Sequence, residues 1–138
     1  MTSKETLFKI GDVGEIENVV KEEQLACNIG SGEVAVYSTP SVVALCEGAS
    51  VQCLKSKLGD DALTSVGTMI QINHLAPTPI SSKVRATATI TSISPDGRKV
   101  SFKLEAFDEK EKIAEGIHDR FILNKERFLQ KSNAKLSK

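Results

Sequence analysis

Aromatic residues are scarce in this sequence: it has no Trp, one Tyr and five Phe among 138 residues. The core is therefore expected to be small and built from Val, Ile, Leu and Ala. Net charge is absent as well, since 18 basic side chains balance 18 acidic ones. Without a basic excess the chain lacks the electrostatic footprint of a nucleic-acid-binding or membrane-surface protein, so neither partner is expected.

Long apolar runs are also missing. The sequence has no stretch of 18 apolar residues, which is about the length needed to span a bilayer. Its first residues carry charges of both signs, whereas a signal peptide needs an apolar segment there. We therefore expect a cytoplasmic protein, and the length predicts a single domain over 1–138. Cys27, Cys46 and Cys53 form an odd set without C-x-x-C spacing, which favours reduced thiols over disulfides or a zinc site.

One long helix is predicted in the first half of the chain. Ser38 and Thr39 precede Pro40, an order typical of a helix start, and we expect Thr39 as the N-cap. The helix is expected to run to about Leu58 and to stop at Gly59. Apolar side chains cover one half of it, so the helix should be mostly buried; they are Val42, Val43, Cys46, Cys53, Leu54 and Leu58.

Alternating apolar and polar residues predict strands elsewhere, at 66–75, 83–90, 100–106 and 113–123, with a weaker first strand at 16–20. Short connections between the last three strands indicate antiparallel neighbours. The expected fold is α+β, with a five-stranded antiparallel sheet wrapped around the long helix and a short helix in 124–138. One helix covers only part of such a sheet, so we expect a homodimer or a dimer of dimers.

Two ionisable residues are predicted to meet between the helix and the sheet. Glu47 falls inside the apolar arc of the helix, where a desolvated carboxylate is a candidate functional group; a carboxylate at the rim that pairs with Lys is the alternative. His74 is expected to face the helix, where Glu47 would orient its ring. A core histidine bonded to a carbonyl is the other interpretation. The face predicted for His74 also carries Val66, Thr68, Ile70 and Ile72.

Hydroxyl groups at the helix start supply a candidate nucleophile. Thr39 lies two turns before Glu47 at the positive end of the helix, where free amides can face an anionic oxygen. Ser38 or Ser41 could fill the same role. On the last strand Arg120 alternates with His118, and either a surface ion pair or a place in the site is possible for Arg120.

Three segments of the sequence resemble a known family. They are STPSVVALCE at 38–47, SVGTMIQINHLAPTP at 65–79 and AEGIHDRFILNKERF at 114–128, and they are similar to the hotdog-fold thioesterases related to fluoroacetyl-CoA thioesterase. The resemblance covers about residues 31–130. It implies a hotdog fold in which Thr39, Glu47 and His74 are catalytic, Gly67 lies near the thioester and Arg120 lines the site.

The same resemblance implies hydrolysis of an acyl-CoA thioester by dimeric subunits with sites at the subunit boundary. Neither a metal ion nor another cofactor is expected, since CoA is part of the substrate. Tyr37 is the only aromatic residue in the loop before Thr39, and Ile117 replaces the hydroxyl residue of the family's G-T-H-E-R segment. We therefore expect a general small acyl-CoA as the substrate. A non-catalytic acyl-CoA-binding protein is the main alternative; a dehydratase or isomerase and a dimeric interaction module are others.

Overall fold

The computed structural model describes residues 7–137 and contains one five-stranded antiparallel sheet with a long helix packed against one face. One strand precedes the helix and four follow it, as the sequence predicts. The elements in chain order are β1 (Val13–Val19), α1 (Ala26–Ile29), α2 (Thr39–Leu54), β2 (Leu63–His74), β3 (Lys83–Ile93), β4 (Lys99–Phe107), β5 (Lys112–Asn124) and α3 (Lys125–Asn133), with short 3-10 turns at Glu22–Gln24 and Ala134–Leu136.

The spatial order of the strands is β1-β3-β4-β5-β2. The three strands joined by short turns are neighbours, and β2 crosses to the far edge, where it pairs with β5. Helix α2 packs mainly against β1 and β3. None of the helices in residues 7–137 is long and apolar enough to cross a membrane.

The ends of α2 differ from the sequence prediction. Ser38, not Thr39, is the N-cap, and its hydroxyl oxygen accepts a hydrogen bond from the Ser41 amide at 3.2 Å. The helix ends at Leu54, because Ser56 takes a left-handed backbone conformation with φ of 64° and the chain turns away before it reaches Gly59.

The core lies between α2 and the concave face of the sheet. Alternation is confirmed, since every second residue is buried along β4 and along β3 as far as Ile90, after which a register shift interrupts the pattern. The buried positions of these two strands are Val84, Ala86, Ala88, Ile90, Val100, Phe102, Leu104 and Ala106. From α2 the buried side chains are Val42, Leu45, Cys46, Ala49, Ser50, Cys53 and Leu54.

A bulge in β2 reverses the alternation of that strand. Gly67 pairs with Arg120 and Met69 with Asp119, so Thr68 is one residue extra. The prediction that Val66 and Thr68 share a face with His74 is therefore wrong. Ser65 and Gly67 point to the helix side instead, together with Ile70, Ile72 and His74.

Gly116 is required where β5 passes β2. A Cβ atom at this position would collide with the carbonyl group of Gln71. Position 116 is therefore a close approach between the backbones of β5 and β2. The three cysteines are free thiols, as expected, with Cys27 exposed and Cys46 and Cys53 buried.

Candidate active site

Thr39 and His74 are in direct contact, although 35 positions separate them in the chain. Thr39 begins α2 and His74 ends β2, and the Thr39 Oγ1 lies 2.7 Å from the His74 Nδ1. The Thr39 hydroxyl is available for this bond because Ser38 supplies the helix cap. The other ring nitrogen of His74, Nε2, is buried and has no hydrogen-bond partner within residues 7–137. The imidazole is therefore held through one nitrogen only.

A cavity of about 310 Å³ opens at the Thr39–His74 pair. Burial lowers the pKa of His74, which favours the neutral imidazole. Tyr37 forms part of the wall, where its hydroxyl donates to the Ser41 carbonyl at 3.4 Å and burial raises its pKa to about 12. A neutral base and a neutral phenol thus border this cavity.

The other nucleophile candidates are occupied or inert. The Ser38 hydroxyl is buried and bonds to the Ser41 Oγ at 2.7 Å, and the Ser41 hydroxyl donates to the Gln24 carbonyl at 3.4 Å. Burial raises the pKa of Cys46 to about 12, so its reactive thiolate is suppressed. Among these groups only Thr39 has its hydroxyl beside an imidazole.

The start of α2 offers fewer free amides than expected. Pro40 has no N–H group, and the Ser41 amide is bonded to the Ser38 side chain. The Val42 amide already donates to the Ser38 carbonyl at 3.0 Å. The Ser41 and Val42 amides are thus occupied, and within residues 7–137 the Thr39 amide is what remains at this helix end to face an anionic oxygen.

A second polar centre lies two turns further along α2, around Glu47 and Arg120. The Arg120 Nη1 is 3.4 Å from the Glu47 Oε2. Arg120 also donates from Nε to the Ser65 Oγ at 2.9 Å and from Nη2 to the Ser65 carbonyl at 3.0 Å. Asp119 pairs with Lys99 instead, at 3.6 Å. Arg120 is 6% exposed, and it belongs to this centre rather than to a surface ion pair.

His118 completes the second centre. Its Nε2 lies 3.2 Å from the Arg120 Nη1 and 3.9 Å from the Glu47 Oε2, and its Nδ1 lies 2.7 Å from the Met69 carbonyl oxygen. Burial lowers the pKa of His118, and the bond to Met69 opposes that shift. The alternation of the last strand predicts that His118 shares a face with Arg120, but it does not indicate a role for the ring. The signal that could have found it is the alternation His118-x-Arg120.

Gly67 has a steric reason to be glycine. The bulge turns this residue toward the helix, and a Cβ atom would lie 2.7 Å from the Glu47 Oε2 and 3.1 Å from the His118 Cε1. Real Cβ atoms do not approach other atoms as closely as 2.7 Å, so any side chain would displace the carboxylate. Gly67, which the resemblance implies to be near the thioester, thus lies in the second centre.

The predicted contact between Glu47 and His74 is not formed within residues 7–137. Thr39 and Glu47 are eight residues apart on α2, which is about 12 Å along the helix axis, and each helix residue meets a different part of β2. The Glu47 side chain is 40% exposed, so it is only partly desolvated and not buried as expected. One chain therefore presents two separate polar centres.

Comparisons with known proteins agree on one family. The model of the family described as FlK, fluoroacetyl-CoA-specific thioesterase, matches residues 20–126. The fluoroacetyl-CoA thioesterase of Streptantibioticus cattleyicolor is 33% identical over 100 residues, which are 72% of this chain and 70% of that protein.

Solved structures give the same result for the fold. A structure of the fluoroacetyl-CoA thioesterase FlK matches with a TM-score of 0.85 and 28% identity, covering 93% of this chain and 97% of that one. A mutant of FlK in complex with fluoroacetate and CoA matches with a TM-score of 0.81 and 27% identity over 88% and 99% of the two chains. A hot-dog-like protein from Thermanaerovibrio acidaminovorans shares the fold at a TM-score of 0.83 and 20% identity, over 95% of each chain. The five-stranded sheet around α2 is thus a hotdog fold.

Proposed function

The chain belongs to the family of fluoroacetyl-CoA-specific thioesterases and is a thioester hydrolase that acts on acyl-CoA, and we propose that it hydrolyses small acyl-CoA esters with Thr39, His74 and Glu47. The observation that carries the proposal is the hydrogen bond of 2.7 Å between the Thr39 hydroxyl and the His74 ring. A hydroxyl beside a neutral imidazole is the arrangement of an activated nucleophile. The chemistry needs these side chains, the CoA ester and a water molecule.

In this proposal His74 is the general base. The Thr39 hydroxyl donates to the His74 Nδ1, and the ring accepts the proton when Thr39, or a water beside it, attacks the thioester carbonyl carbon. The ring then gives that proton to the CoA sulfur as the C–S bond breaks. Where Thr39 is the attacking group, a water hydrolyses the resulting acyl-threonine in a second step. The lowered pKa of His74 keeps the ring neutral and able to accept a proton at neutral pH. General base catalysis of this kind contributes about 10²- to 10⁴-fold in rate.

We place the oxyanion donors near Gly67 rather than at the start of α2. At the helix start Pro40 has no N–H group and the Ser41 amide is bonded to the Ser38 cap, which leaves the Thr39 amide alone. The bulge leaves Thr68 outside the regular pairing of β2, directly after Gly67, which faces Glu47 and Arg120. One well-placed donor to the developing oxyanion contributes about 3 kcal/mol to the barrier.

A homodimer would bring the two centres together. Strand β2 is twelve residues long and, within residues 7–137, pairs only with β5, so its outer edge is open to a second strand. Met69 in the middle of this strand is 38% exposed. On the neighbouring helix Val51 is 46% exposed and Glu47 is half-buried. A second copy of the chain would cover both surfaces.

Antiparallel pairing of β2 with the same strand of a second copy has a useful geometry. If the pairing is centred on Ile70 and passes over the extra residue Thr68, His74 of the partner subunit lies opposite Ser65, on the helix side of the strand. His74 of the partner subunit then lies close to Gly67 and Glu47. In this arrangement each active site takes the Thr39–His74 pair from one subunit and the Glu47–Arg120 pair from the other.

The acyl group is proposed to be small and not restricted to fluoroacetyl. The cavity at Thr39 and His74 measures about 310 Å³, and the exposed loop before it contains Gly30, Ser31, Gly32 and Glu33 but no aromatic side chain. Nothing in this loop selects for fluorine. Short linear and branched acyl-CoA esters are therefore the substrates to test first.

The test is free thiol release from acetyl-, fluoroacetyl-, propionyl-, isobutyryl- and benzoyl-CoA, with His74→Ala and Glu47→Ala beside the unmodified protein. We expect turnover of the short esters and strong losses in both variants. Glu126→Ala on α3 is the control, an exposed carboxylate outside both centres. Binding of CoA esters without thiol release would favour the non-catalytic alternative, and full turnover by both variants would refute the site.

A further inference from the structure

His118 is buried in the second centre with both ring nitrogens bonded. It is 1% exposed, lies 6.1 Å from the Phe102 ring between centroids, and contacts β2 through the Met69 carbonyl. A histidine that only filled space in the core would need one carbonyl partner. This ring instead joins the bulge of β2 to Arg120, which pairs with Glu47.

The partners of His118 determine where its proton is. The Met69 carbonyl oxygen can only accept a hydrogen bond, so the Nδ1 at 2.7 Å from it must carry hydrogen. The Arg120 guanidinium can only donate, so the Nε2 at 3.2 Å from it must be unprotonated. The ring is therefore neutral and in the Nδ1–H form.

The bond to His118 is one of several that fix the orientation of the Arg120 side chain. Its Nε and Nη2 donate to Ser65, and its Nη1 is shared between the His118 Nε2 and the Glu47 Oε2. Each nitrogen of the guanidinium thus has a fixed partner, and the carboxylate is held against Gly67. Without the ring at position 118, one Arg120 hydrogen and the Met69 carbonyl would both lose their partners.

We propose that His118 is a positioning residue of the active site. As a neutral Nδ1–H imidazole it fixes the positions of Arg120 and Glu47 relative to the β2 bulge. Its effect on catalysis rests on the proposed function, because it acts through Glu47 and Arg120 and does not touch the substrate. Misplacement of a reacting group by about 1 Å can cost about 10²-fold in rate. Loss of His118 is expected to act in this way.

Two amide variants separate the two bonds of the ring. In His118→Asn the amide nitrogen is near the former Nδ1 and keeps the bond to Met69, but the acceptor for Arg120 is lost. In His118→Gln the amide oxygen reaches the former Nε2 position and restores that acceptor. We expect His118→Asn to lower kcat by about 10²-fold with little change in KM, and His118→Gln to recover most of that loss.

Controls separate positioning from folding. Val84→Ala weakens the core at the start of β3, where the strand pairs with β1, the edge of the sheet opposite β2, and should leave kcat unchanged at temperatures below its unfolding transition. Arg120→Lys combined with His118→Asn should lose no more kcat than Arg120→Lys alone, since both changes remove the same alignment. Equal losses in His118→Asn and His118→Gln, or losses that only follow the unfolded fraction, would overturn the proposal.

A measurement without substrate tests the arrangement itself. In ¹⁵N NMR spectra of the unmodified protein at neutral pH, His118 should show a protonated Nδ1 and an unprotonated Nε2. A signal for Nε2–H or for the imidazolium would refute the arrangement. If the unmodified protein released no thiol from any ester, the proposed function would fail, while this spectrum would still decide the tautomer of His118.

Discussion

His74 and His118 face the same helix from neighbouring strands but are held in opposite ways. His74 has one ring nitrogen bonded to Thr39 and the other without a partner in the described part of the chain. His118 has both nitrogens bonded, to Met69 and to Arg120. The difference teaches which ring can take part in proton transfer: His118 has no free position for a proton, whereas His74 shares its bond with a hydroxyl that can react.

Removing the ring of His74 is expected to have the largest effect. His74→Ala should lower kcat/KM for a short acyl-CoA by about 10²- to 10⁴-fold, because the proposed base is lost. The thermal unfolding temperature should change little, since His74 is only half-buried and bonded through one nitrogen. A variant that kept its activity would show that the contrast between the two histidines has no catalytic meaning.

Variants of the two adjacent hydroxyl residues Ser38 and Thr39 distinguish a catalytic role from a helix-capping role. Thr39→Ala should lower kcat by at least about tenfold with little change in stability, since it removes the partner of His74. Ser38→Ala should do the reverse and cost about 1 kcal/mol of unfolding free energy with kcat retained, because the cap to Ser41 is lost. Kinetics and urea unfolding of both variants decide this. A loss of activity in Ser38→Ala alone would contradict the assignment.

A side chain at position 67 is expected to disturb the second centre around Glu47 and Arg120 and to leave the Thr39–His74 pair intact. Gly67→Ala puts a Cβ atom 2.7 Å from the Glu47 Oε2, so the carboxylate must move. We expect kcat to fall by about tenfold, part of the loss that a 1 Å misplacement can cause. Gly97→Asn in the β3–β4 turn is the control, because nothing lies within 4 Å of that position. Unchanged kcat in Gly67→Ala would remove Glu47 from the mechanism.

The smallest expected effect is on the pH dependence of stability. Burial lowers the pKa of both His74 and His118 in the folded state. Below the usual histidine value of about 6.5 the unfolded chain therefore binds more protons, so stability should fall as the pH drops from there toward the folded-state values. Urea unfolding between pH 7.5 and 5 measures the slope, which should be shallower in His118→Gln. A slope of opposite sign would contradict the buried neutral rings.

Much of the fold could be predicted because it depends on repeated patterns. Strand β4 alternates over its whole length and β3 as far as Ile90, and most of the apolar residues predicted for α2 lie on its buried face. The bulge could not be predicted, since a single extra residue at Thr68 leaves no mark in composition yet exchanges the faces of β2. The cap was assigned to the wrong residue because Ser38 and Thr39 are both good capping types.

The candidate site was predicted by residue type but not by contact. The helical projection of Glu47 and the strand face of His74 predict the direction in which each side chain points. They do not predict how far along the helix axis or the strand axis each residue lies. A helix rises about 1.5 Å per residue and a strand about 3.3 Å. Consequently Glu47 meets Gly67 and Arg120, while Thr39 meets His74.

The most direct test of the account is complementation between two inactive variants. In the proposed dimer, a subunit with His74→Ala and a subunit with Glu47→Gln would together form one site that has both native residues. Mixing equal amounts under conditions that exchange subunits should therefore restore about a quarter of the unmodified activity, since half of the dimers are mixed and each has one intact site. A mixture no more active than the separate variants would contradict a site shared between subunits.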